Sequence, residues 1–148
     1  MFQKIVVGLD GSEASENALR VACDISKKYS SEIHLVHTPQ PQTVAFALGA
    51  VASYHAVTTM PSDKEVQQAA DKIISLGRQI AQEYDLEIAQ THTDRGNPVE
   101  QIIACAEQCA ADLIVTGRRG LGSIGALLQG STSQGICQSS TCAVLSVA

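Results

Sequence analysis

Leu113-Ile114-Val115-Thr116-Gly117-Arg118-Arg119-Gly120, followed after nine residues by Gly130-Ser131-Thr132, is the stretch on which the reading of this chain turns. The apolar run predicts a buried strand, the glycines a loop, and the Ser/Thr segment from 131 the start of a helix. Strand, glycine loop and helix start in that order make a cradle for an anion. Glycine lets the backbone turn sharply and approach a ligand closely. Unpaired N–H groups and the positive end of the helix dipole then face the ligand. Each hydrogen bond to a charged oxygen contributes about 1.5–3 kcal/mol, which favours phosphate. The bland alternative is a solvated surface loop with five glycines between 117 and 130. Neither standard phosphate motif is present. Gly125 to Thr132 has P-loop spacing, but Ser131 stands where the lysine belongs. The turn Gly8-Leu9-Asp10-Gly11-Ser12 lacks the three-glycine dinucleotide fingerprint.

Outward from that stretch, strands and helices alternate. Ile5 to Leu9 is a continuous apolar run of the kind a doubly buried parallel strand shows. Ser12 caps a first helix over roughly 13–29, with Ala18, Leu19, Ala22 and Ile25 at helical spacing. Ile33, Leu35 and Val36 mark a second strand ending near His37-Thr38. Ser62 and Glu65 form a capping box for a helix to about Tyr84, its inner face carried by Ala69, Ile73, Leu76, Ile80 and Ala81. Leu86 to Thr93 alternates and predicts an edge strand. Asn97-Pro98 opens a helix to about Ala110 that buries Ile102, Ile103 and Ala106. Asp112 begins the fourth strand, a last helix spans about 131–139, and Ala143-Val144-Leu145 is the fifth strand. Gly135 weakens that last helix by up to about 1 kcal/mol relative to alanine. Five strands and four helices predict one α/β domain over 1–148, a doubly wound parallel sheet of order 3-2-1-4-5, Rossmann-like, with helices on both faces. In such a sheet Asp10 and Gly117 flank the point where strand order reverses, and the two turns form one site.

Residues 39–62 carry no Asp, Glu, Lys or Arg over 24 positions. Gln, Thr, Ser, Tyr and His interrupt the run, so a membrane span is rejected. A variable apolar loop at about 39–61 remains, as a lid, a short helix or a subunit contact.

The 148 residues are 45 % hydrophobic and 17 % charged, with net charge −5 and pI near 5.2. That argues against a nucleic-acid binder, which would show a basic face. Five cysteines without framework spacing, and no signal peptide after Met1, point to a reducing cytoplasm. Cys105 and Cys109 lie four apart on a helix. No Cys-x-x-Cys or neighbouring histidine in the sequence completes a metal set, so buried, inert thiols are expected. No other metal ligands, Ser–His–Asp set or Cys–His set is assigned. His37 lies near the expected pocket, where a lone histidine is more often structural.

Taken together, the chain resembles the universal stress protein family, nucleotide-binding branch. Gly117, Gly120, Gly130 and Ser131 match its G-x2-G-x9-G-[ST] loop, Asp10-Gly11-Ser12 its first turn, and Gly96-Asn97-Pro98 the turn before its third helix. The likeness spans the chain apart from 39–61. Ala143 departs from it, where members often have proline. The resemblance implies an adenine-nucleotide site for ATP, or ADP/AMP, with Mg2+. Asp10 would lie against the adenosine as a hydrogen-bond acceptor, and backbone near Thr38 would meet the base edge. Thr116 and Gly117 would border the ribose and first phosphate. Gly120, Gly130, Ser131 and Thr132 would hold the others. Arg118 and Arg119 are either phosphate clamps or solvated side chains. The resemblance also implies a homodimer through the last strand, Ala143 to Val147, which as a short apolar edge invites pairing. The expected role is stress response or signalling through the nucleotide-bound state. The alternatives are a slow ATP hydrolase or nucleotidyl-transfer relative, and a dimerisation module that binds nothing. Fast phosphoryl transfer is disfavoured, because the P-loop lysine and an acidic pair are both missing.

Overall fold

The computed structural model describes residues 1–49, 61–121 and 131–148. Their elements are β1 (Lys4–Gly8), α1 (Glu13–Tyr29), β2 (Glu32–His37), α2 (Pro41–Ala47), α3 (Asp63–Glu83), β3 (Gln90–Thr93), α4 (Pro98–Cys109), β4 (Leu113–Gly117), α5 (Ser131–Ser139) and β5 (Ala143–Val147). All pairings are parallel and the order is β3-β2-β1-β4-β5. This is the doubly wound Rossmann-like sheet that the alternation predicts.

Side chains on β1, and on Leu9 just after it, divide between two cores. Ile5, Val7 and Leu9 pack with α1 and α3 through Ala18, Leu19, Ala22, Ile73 and Ile80. Val6 faces the other way, onto Ile102, Cys105 and Ala106 of α4 and Ile136 of α5. Complete burial of side chains such as Leu19, Ile33 and Leu35 stabilises the fold by about 1.5–3 kcal/mol each. Register follows from this, since Val6 sits between His34 and Ile114 with both neighbours in phase.

Helix ends follow local chemistry. Ser12 accepts from the Ser15 amide at 3.2 Å, and Glu13 and Glu16 lie at the positive end of α1. Ser62 and Glu65 close the capping box of α3. Asn97 Oδ1 accepts from the Val99 amide at 2.9 Å, with Pro98 at the first helical position. Asp112 opens β4 by accepting from the Gln3 and Lys4 amides at 2.7 and 3.0 Å, which holds its carboxyl below the usual range.

Of the alternatives for the uncharged segment the described part takes the short helix, and four expectations (the helix count, the start of β3, Leu76 and the neighbours of Cys105 and Cys109) need correction. A helix, α2, occupies part of the uncharged segment, because Pro41 fits its first turn and Gln40 and Thr43 cap it reciprocally. The described residues therefore hold five helices, not four. β3 begins at Gln90 rather than Leu86. Asp85 adopts φ 57° and the Leu86 amide turns back to Ala81 O, so the chain is still leaving α3. Leu86 and Ile88 meet the core there, and the Ala89 amide makes the first bond to β2, at Ile33 O. On α3, Leu76 is 37 % exposed, and Gly77 holds the inward position instead. Finally, β2 places His34 beside Cys105 and Cys109, a neighbour invisible in linear spacing.

Candidate functional site

Between β1 and β4 the strand order reverses, and the loops leaving their carboxyl ends diverge to opposite faces of the sheet. A cavity of about 490 Å³ opens at that point. Asp10, Thr38, Thr116, Gly117, Arg119, Gly120, Ser131 and Thr132 all line it, as does Arg118. Gly130 lies outside the described residues, and so do residues 50–60 of the uncharged segment.

The glycines serve close approach rather than unusual dihedrals. A Cβ on Gly117 would stand 2.8 Å from the Ala14 carbonyl carbon and 2.9 Å from the Ser15 amide nitrogen. Only glycine lets β4 end against the first turn of α1. A Cβ on Gly120 would meet Asp10 Oδ2 at 2.6 Å. Neither has positive φ, whereas Gly11, in the turn between β1 and α1, does at 86°.

Asp10 joins the two loops. Oδ1 accepts from the Ser12 amide at 2.9 Å and Oδ2 from the Leu121 amide at 3.3 Å, 111 residues along the chain. The carboxylate acts as a hydrogen-bond acceptor that ties the glycine loop to the first turn. It is the single acidic side chain among the described lining residues, set against two arginines.

Thr38 and Thr116 also line the cavity, 6 % and 4 % exposed, and neither hydroxyl has a hydrogen-bond partner among the described residues. Buried hydroxyls are normally satisfied, so these two are available to a ligand or to water. Ser131 and Thr132 bring the amino end of α5 to the rim. Ser133 Oγ bonds Ser146 Oγ at 2.7 Å, fixing that end to β5.

The opposite wall is neutral. Gln40, Gln42 and Thr43 from α2 join Leu9, Val36, Pro98 and Ile102 there. Gln40 Nε2 donates to Gly96 O at 3.0 Å, docking α2 on the turn before α4. These residues escaped the sequence reading, although Gln40-Pro41 and the Gln40/Thr43 spacing carry a helix-start signal. His37 does not line the cavity. It is fully buried, and its Nδ1 donates to Leu9 O at 2.9 Å, holding β2 to the end of the first strand. Burial pushes its basicity down, which keeps the ring neutral.

The sequence pattern of the Universal stress protein family matches residues 1–148. Universal stress protein YxiE of Bacillus subtilis is 29 % identical, over 99 % of both chains. A universal stress protein solved in complex with cAMP superposes with a TM-score of 0.71 at 24 % identity, covering 99 % of this chain and 97 % of that one. The universal stress protein of Archaeoglobus fulgidus in complex with dAMP superposes with a TM-score of 0.70 at 19 % identity, covering 99 % and 98 %.

Proposed function

The chain belongs to the universal stress protein family, and from that membership we propose that it binds an adenine nucleotide, ATP or its ADP/AMP relatives. The nucleotide-bound state, rather than turnover, then carries a stress-response signal. One observation supports this above the others: the cavity has two chemically different walls. Gly117 and Gly120 offer close approach, Arg118 and Arg119 positive charge, and the α5 amino end a helix start to phosphates. Gln40, Gln42 and Thr43, with the apolar Val36 and Ile102, offer neutral hydrogen-bonding groups and a greasy surface to a base. The two related structures hold cAMP and dAMP, both adenine nucleotides.

A Mg2+ ion fits this arrangement only through the nucleotide. Asp10 already accepts two backbone hydrogen bonds, and no second carboxylate lines the cavity among the described residues. The ion would be held by phosphate oxygens and water, as Mg2+ commonly is. It would neutralise charge there.

Two finer parts of the reading rest on the fold. β5 lies at the sheet edge with Leu145 36 % exposed, which supports pairing with the same strand of a second copy. All five cysteines are free thiols, and no described helix is long and apolar enough to cross a membrane, which supports a cytoplasmic location.

Calorimetric titration with ATP, ADP, AMP and adenosine, each with Mg2+, tests the proposal. We expect one site per chain, with the phosphorylated ligands bound at least about tenfold tighter than adenosine, or about 1.4 kcal/mol. No binding of any of the four at millimolar concentration would refute it.

A further inference from the structure

On the α4 face of the sheet, away from the nucleotide cavity, His34, Cys105 and Cys109 bring one ligand atom each to within 4.8 Å of one another. Cys105 and Cys109 sit one turn apart on the inner stripe of α4, and His34 projects from β2 below them. His34 is 3 % exposed, yet neither ring nitrogen has a hydrogen-bond partner among the described residues. The nearest carboxylate oxygen, Glu32 Oε2, is 3.7 Å from Nε2 and beyond hydrogen-bond reach. The ring of His92 stacks on His34, with centroids 6.1 Å apart, and its Nε2 is also buried without a partner. An apolar interior does not hold two imidazoles with idle nitrogens beside two thiols at no cost.

We infer that His34, Cys105 and Cys109 form a zinc site linking β2 to α4. One imidazole and two sulfurs suit a thiophilic d10 ion and not the oxygen-seeking Mg2+ or Ca2+. Charge selects Zn2+ over Cu(I). Two thiolates and a neutral histidine cancel the charge of a divalent ion, whereas a monovalent one would leave a net negative charge in an apolar core. Bond lengths of about 2.3 Å to sulfur and about 2.0–2.1 Å to nitrogen set ligand atoms roughly 3.5–3.8 Å apart in a tetrahedral site. Side-chain rotation of an ångström closes the present spacing to that range. Binding exchanges one Zn2+ for two protons: the Cys105 and Cys109 thiols give them up, and both S–H bonds become S–Zn bonds.

The test uses the full chain, reduced and stripped with a chelator. One equivalent of Co2+ should produce a thiolate-to-metal charge-transfer band in the near ultraviolet, which Zn2+ then displaces. Calorimetry of Zn2+ in buffers of different ionisation enthalpy should give one ion bound and two protons released. Cys109→Ser, at a half-buried position, and His34→Gln should each lose the band. Cys137→Ser, at an exposed position on α5, should keep it. Zinc should raise the melting temperature of the wild type and leave that of Cys109→Ser unchanged. A wild-type protein with no thiolate band at one equivalent of Co2+ overturns the inference, whatever the variants do. So does a band that survives Cys109→Ser and vanishes in Cys137→Ser.

Discussion

Gly120 and Asp10 meet at the seam between the first turn and the glycine loop, and single-residue predictions start there. Gly120→Val would drive a side chain into Asp10 Oδ2, 2.6 Å from where its Cβ must stand, or out into the cavity. ATP binding should be lost while the far-ultraviolet circular dichroism spectrum stays that of the wild type, because the position is a solvent-facing loop. Ser131→Ala should weaken ATP by roughly 1–3 kcal/mol in the same titration, the value of one hydroxyl contact to a charged group. A second residue-scale expectation concerns pH. Burial holds His37 neutral, with folded-state basicity below the ordinary value of about 6.5. The unfolded chain therefore binds more protons as pH falls, so this stability is fully present above about pH 6.5 and is lost below it. Melting temperatures between pH 7 and pH 5 should fall more steeply for wild type than for His37→Gln, which keeps a donor for Leu9 O. That Asp10, Gly117 and Gly120 meet at one cavity was legible in the sequence, because backbone chemistry restricts what can stand there. The partner of His37 was not, since Leu9 lies 28 residues away.

Elements were legible wherever caps and periodicity agreed. Ser12, Ser62 and Asn97 each mark a helix start, and the buried strands read as apolar runs. β3 was misjudged because Leu86 and Ile88 bury their side chains from a connection, imitating strand alternation without joining the ladder. α2 was left open because a Pro- and Gln-rich uncharged stretch has weak helix propensity, and its Val44 gains burial only against Val66 and Ala69 of α3. Leu76 was placed inward because helical spacing cannot tell a large residue from the glycine beside it. Gly77 is required there: its Cβ would stand 2.8 Å from Leu9 Cδ1 and 2.9 Å from Leu35 Cδ1, both in the packed core. Gly77→Ala gains about 1 kcal/mol of helix propensity and loses about 1–3 kcal/mol to overpacking. Urea denaturation should show a net loss near 1 kcal/mol, and a stabilised variant would mean that α3 shifts outward freely.

Across the whole molecule, parallel pairing and right-handed crossovers leave few topologies for five alternating strands, which made the order 3-2-1-4-5 and the position of the cavity readable together. The neutral wall was not readable, because it depends on α2 docking through Gln40 onto Gly96, 56 residues away. Assembly belongs to this scale too. If β5 pairs with its counterpart, light scattering at micromolar concentration should give a dimer mass, and Val144→Pro, which removes an edge hydrogen bond, should give a monomer. An unchanged dimer in that variant would place the contact elsewhere. The central claim is that one cavity takes phosphates on its glycine and arginine wall and a base on its glutamine wall. A crystal structure with ATP and Mg2+ tests it most directly. The account predicts phosphates within hydrogen-bond distance of the Gly120 and Ser131 backbone and adenine beside Gln40 and Val36. A nucleotide bound in the reverse orientation, or outside this cavity, would contradict it.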